Sequence, residues 1–121
     1  YSPLGQGLLS GRTDFSGAPM RGNRMVMPAL GKDGLGALQQ ALKEIARAHD
    51  ATPAQVALAW VMQAPGITSP IIGTTKTAQL KDLIGAVDVQ LTADEVKALE
   101  AHYTPHPILG HANPKPSEVR R

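Results

Sequence analysis

A chain of 121 residues, 42% hydrophobic and 18% charged, has the size and composition of one ordinary globular domain, not of a disordered segment. The absence of cysteine excludes disulfides, thiol catalysis and zinc–thiolate sites, and it agrees with a reducing, cytoplasmic setting. A net charge of +2 on scattered basic residues argues against a nucleic-acid partner; no apolar run approaches the ~20 residues of a membrane helix, and no signal-peptide pattern opens the chain.

Residues 1–36 hold eight of the twelve glycines, with Pro3, Pro19 and Pro28, which predicts a long loop with at most a helical turn at "GLLSG". A small basic excess, Arg12, Arg21, Arg24 and Lys32 against Asp14, lies in the first 32 residues. Leu35, Leu38, Leu42 and Ile45 then recur on one helical face, predicting an amphipathic surface helix over about 35–49. In "TPAQVALAWVMQAPG", Thr52 suits an N-cap, Pro53 the first helical position, and Pro65-Gly66 a stop. The resulting helix, about 53–64, is apolar nearly all round and must be covered on most sides.

A buried strand at about 69–72 and a helix at 78–86 follow, and Thr92 with Glu95 forms a capping box that opens a last helix in "LTADEVKALEAHY". From residue 104, Pro105, Pro107, Pro114 and Pro116 predict an irregular tail. One strand between helices implies a parallel α/β sheet whose other strands lie outside these residues, and a start at Tyr1 in the middle of an apparent element points to a fragment.

The chemistry concentrates in "SPIIGTTKTAQLKDL", residues 69–83. Where a strand hands over to a helix, the first N–H groups of the helix lack internal partners and form a ready anion site. Gly73 leaves room for close approach, Thr74 and Thr75 add hydroxyls, Lys76 adds a point charge, and Gln79 lies one turn further on. The same residues also fit a plain structural role, with Thr77 capping, Gly73 turning the chain and Lys76 solvated. In "YSPLGQGLLSGR" the glycine spacing is one residue too long for a dinucleotide fingerprint. Read as a second polar, glycine-rich loop after a strand, it matches the paired phosphate loops that follow the last two strands of a (β/α)8 barrel.

In this order "YSPLGQGLLSGR", "ATPAQVALAW", "IIGTTKTAQLKDLIGA" and "LTADEVKALE" resemble the C-terminal part of the aldo-keto reductases, NAD(P)H-dependent (β/α)8-barrel oxidoreductases, up to about residue 103. The resemblance implies an incomplete TIM barrel: the end of strand 7, strand 8, flanking helices and the tail. Residues 1–34 would form a cofactor-covering loop region, 35–103 the helices with strand 8, and 104–121 the tail. It places Tyr1 against the nicotinamide, Ser2, Pro3, Leu4, Gly5 and Gln6 along the ribose and pyrophosphate, and Arg12 and Arg24 over the phosphates. Gly73, Thr75 and Gln79 would bind the adenosine end, with Thr74 and Lys76 near the 2′-phosphate that distinguishes NADP(H) from NAD(H). Asp82 stands where the family usually has a glutamate, and Leu83 where asparagine is common.

The implied function is the cofactor-binding portion of an NADP(H)-dependent reductase of aldehydes or ketones. The family's catalytic tyrosine, lysine, aspartate and histidine match nothing here, so these residues alone are expected to be inactive, completed by an N-terminal remainder of the barrel that acts on a small carbonyl substrate. The alternative is a non-catalytic nucleotide-binding regulatory subunit of the same fold, like the channel β subunits. No metal site is expected from His49, His102, His106 and His111, which lack ligand spacing and read as loop histidines. Tyr103 reads as an edge aromatic, Trp60 as core, and Met20, Met25 and Met27 as packing.

Overall fold

The computed structural model describes residues 2–11 and 23–103, and for Gln6 and residues 23–33 it describes the backbone alone. The helices are α1 (Asn23–Ala48), α2 (Pro53–Gln63), α3 (Thr77–Ile84) and α4 (Ala93–Glu100), with 3₁₀ turns at Gly5–Gly7 and Gly85–Asp88. The tail after Tyr103, including His106 and His111, and the loop residues Tyr1, Arg12 and Met20 lie outside the described residues.

Helix α2 begins and ends where its punctuation predicts. The Thr52 side chain accepts from Gln55 N–H and the Gln55 side chain accepts from Thr52 N–H, a complete capping box with Pro53 in the first turn. Past its C-terminus, Ile67 N–H bonds to Ala64 C=O at 3.2 Å across Pro65 and Gly66, and a φ of 85° at Gly66 makes this a type II turn.

The all-round apolar character of α2 is explained by its position between two cores. Val56, Ala57 and Ala59 pack with Leu42, Ile45 and Ala46 of α1, with Leu99 of α4, and with Val89 and Leu91. Ala54 and Leu58, on another side, pack with Leu83 and Ala86. Alanines at three of these five positions let neighbouring backbones come close, while Val56 at 0% and Leu58 at 2% exposure fill the space. Trp60, expected in the core, lies at its edge: its ring flanks the first cluster and its N–H donates to Glu100 Oε1 at 3.1 Å.

Two expectations change. Helix α1 starts at Asn23 and not near residue 35, running through Pro28 and three glycines. Pro28 forgoes one i→i−4 bond there. The expectation weighed local propensity, which tertiary context can override; at Gly34 the helix passes the chain just after α4, where an added Cβ would sit 3.7 Å from His102 O.

The predicted buried strand at 69–72 is absent, and the described residues are helical, with no strand among them. A strand exists through its ladder, and no second segment among the described residues offers one. Ile72 packs on the α2–α3 cluster, but Ile71 is 75% exposed. Among the described residues no helix is long and apolar enough to cross a membrane.

Candidate functional site

The two loops singled out in the sequence meet. Ser2, Pro3 and Leu4 from the first loop and Gly73, Thr74, Gln79 and Asp82 from the second line one cleft of about 630 Å³. That volume is in the usual range for a small-molecule pocket, and its lining of aliphatic side chains with a few polar groups has the usual chemistry.

The first loop is held by its own backbone. Gly5 N–H bonds to Ser2 C=O at 3.0 Å, Gly7 N–H to Leu4 C=O at 3.1 Å and Leu9 N–H to Leu4 C=O at 3.2 Å. The Ser10 hydroxyl donates to Gly7 C=O at 3.0 Å. Such tight winding needs left-handed backbone, supplied by Gly7 (φ 101°) and Gly11 (φ 88°). Ser2 takes φ 55° without being glycine, a sparsely populated conformation in the cleft wall. Leu8, fully buried, anchors the loop, and its carbonyl accepts from the buried Gln39 Nε2 of α1 at 2.9 Å.

The second loop is anchored by Ile72 and leads into α3, whose N-cap is Lys76 and not Thr77; no side chain caps it. An added Cβ at Gly73 would meet nothing within 4 Å, so the cleft is open above it. Thr75 and Lys76 are exposed at the entry to α3 and do not line the cleft; Gly5, in the 3₁₀ turn, does not either. Tyr1 and Arg12 lie outside the described residues, as do the side chains of Gln6 and Arg24.

Between the loops stands a wall the sequence reading did not assign to the site: Thr52, Pro53 and Ala54, the first turn of α2. The Thr52 hydroxyl donates to Asp82 Oδ2 at 3.3 Å, which ties the helix start to the carboxylate in the cleft. Gln55 Nε2 donates to Asp82 C=O at 2.7 Å. The Thr52-x-x-Gln55 spacing is a capping-box pattern with glutamine at N3, which signals the α2 cap but not the contact with Asp82.

The model of the aldo/keto reductase family matches residues 1–104. Over 102 residues the chain is 34% identical to "Probable aldo-keto reductase 1" of Glycine max, covering 82% of this chain and 30% of that protein. It is 39% identical over 102 residues to an uncharacterized oxidoreductase of Mycobacterium tuberculosis, covering 82% of this chain and 31% of the relative. Over 120 residues it is 34% identical to aldo-keto reductase str7 of Strobilurus tenacellus, with coverage of 93% and 35%. The chain belongs to the aldo/keto reductase family, a family of (β/α)8-barrel oxidoreductases, and it spans about a third of the length of the curated relatives it matches.

Proposed function

We propose that these residues form the cofactor-binding portion of an NADP(H)-dependent oxidoreductase that reduces aldehydes or ketones to alcohols. The observation that carries this reading is the convergence of the 2–4 and 73–82 segments on one cleft, although nearly seventy residues separate them in the chain.

The residues present fit a dinucleotide unevenly, in a way that orients it. Among the described lining residues Asp82 carries the charge, and no cation lines the cleft. A carboxylate accepts hydrogen bonds from sugar hydroxyls or a base amine and repels phosphate. The adenosine end therefore belongs beside Asp82 and Gln79. Phosphate belongs where the hydroxyls of Ser2 and Thr74 and the uncapped N–H groups of α3 provide donors, with Lys76 supplying charge from the rim. When bound, the nicotinamide supplies hydride for the carbonyl carbon. Binding and orienting the nucleotide falls to these residues, and protonation of the developing alkoxide falls to groups of an N-terminal remainder of the barrel.

The test is titration of the chain with NADPH and NADH, followed by nucleotide fluorescence. Saturable binding is expected, together with no turnover of a test aldehyde by these residues alone. Absence of binding to either nucleotide would contradict the reading, and carbonyl reduction by the isolated chain would contradict the division of roles.

A further inference from the structure

We infer that Gln55, which does not line the cleft, is a positioning residue for its ligand: it locks the carboxylate of Asp82 in place by joining the start of α2 to the end of α3. The inference rests on the nucleotide reading of the cleft.

One side-chain amide bonds backbone groups at the ends of two helices. Gln55 Oε1 accepts from Thr52 N–H at 2.9 Å, at the α2 N-cap. Its Nε2 donates to Asp82 C=O at 2.7 Å, in the last turn of α3, a carbonyl that also accepts from Gly85 N–H. Above this bridge the Thr52 hydroxyl reaches Asp82 Oδ2 at 3.3 Å. Thr52 and Asp82 both face the cleft, so the spacing of the two walls and the aim of the carboxylate follow from a side chain behind them.

The bridge is also fitted closely from outside. An added Cβ at Gly85 would overlap Gln55 Nε2. Gly85 has φ −59°, so alanine is allowed there by the backbone, and its exclusion is by the Gln55 amide alone. A glutamine end is ordinarily free to swing aside, but here it would leave both hydrogen bonds. Gly85 also lies outside the cleft lining. Gly85→Ala therefore displaces Gln55 without altering any lining residue or adding charge.

The experiment compares wild type, Gln55→Glu, Gly85→Ala and Asp82→Asn by NADPH and ADP-ribose titration, with thermal unfolding of each variant. Glutamate at position 55 retains the acceptor for Thr52 N–H, and hence the α2 cap, but loses the donor to Asp82 C=O. Each of Gln55→Glu, which loses one hydrogen bond, and Gly85→Ala, which displaces the amide from two, is expected to weaken both ligands by at least about two- to ten-fold. In the Asp82→Asn background Gly85→Ala should change affinity little, because Gln55 acts through that carboxylate; a general structural effect would weaken binding equally in both backgrounds. Wild-type affinity in a folded Gly85→Ala variant, or an undiminished effect in the Asp82→Asn background, overturns the inference and leaves the nucleotide reading standing. No binding by folded wild type overturns both.

Discussion

The side-chain amide of Gln63 pairs with both backbone groups of Leu91, Nε2 donating to the carbonyl at 3.1 Å and Oε1 accepting from the N–H at 2.9 Å. Leu91 is 7% exposed and belongs to no regular element, so this amide stands in for the ladder partner that a strand would have. Gln63→Ala should leave the two backbone groups unsatisfied and cost about 1–3 kcal/mol. Chemical denaturation of the chain checks this, and a loss below about 0.5 kcal/mol would mean that water replaces the amide without penalty.

Asp50 occupies the left-handed region (φ 50°) just past α1. Ala51 N–H bonds to Ala46 C=O at 2.8 Å and Asp50 N–H to Arg47 C=O at 3.4 Å, the two bonds of a Schellman cap that usually carries glycine. Its carboxylate also stands at the negative end of the helix dipole. Asp50→Gly should therefore raise stability by about 0.5–1 kcal/mol, after allowance for the greater freedom of glycine in the unfolded chain. Unchanged or lower stability in denaturant titration would show that the aspartate relieves its own strain.

Glu95 closes the α4 capping box and meets His49 Nε2 at 2.8 Å, joining the end of α1 to the start of α4. The Thr92 N–H above all, with smaller help from His49 and the Thr92 hydroxyl, holds the Glu95 carboxyl below the usual carboxylate range, against the opposing effect of partial burial. A depressed folded pKa means that the stabilisation is complete above the ordinary carboxylate value and is lost as pH falls through the lower folded one. Glu95→Gln retains the box without the charge, so it should be less stable than wild type by about 0.3–1 kcal/mol at pH 7. Thermal unfolding from pH 7 to pH 2 should show the difference closing at the acid end, and a constant difference would remove the charge from the account.

Lys76 enters α3 as an exposed N-cap residue beside the cleft segment. If Lys76 and Arg12 meet the phosphates, Lys76→Ala and Arg12→Ala each weaken NADPH more than NADH, by about ten- to hundred-fold for a charge-assisted contact. Equal small losses with both nucleotides would make Lys76 a solvated surface charge, and equal large losses would put it on the pyrophosphate shared by both.

Much of the helical layout was legible because it is written locally. Thr52-Pro53 and Pro65-Gly66 bound α2, the Thr92–Glu95 box opens α4, and the lack of a polar face on α2 foretold cover on most sides, which two clusters supply. What depends on distant contacts was not. Pro28 and the glycines argued against a helix that nonetheless runs from Asn23, and Ile71-Ile72 read as a strand without a ladder to join. The site divides the same way: glycine and hydroxyl chemistry pointed to both loops, whereas Thr52, Gln55 and Gly85 acquire their roles only where the start of α2 meets the end of α3.

The central claim, that the two loops enclose one nucleotide site, is tested most directly at Gly73. An added Cβ there would meet no atom of the described fold within 4 Å, and Gly73 lines the cleft, so a larger side chain has room to enter it. NADPH titration of Gly73→Leu, alongside thermal unfolding, separates binding from folding. The account predicts wild-type stability with affinity reduced at least ten-fold, ~1.4 kcal/mol or more. Wild-type affinity in a folded Gly73→Leu protein would contradict it.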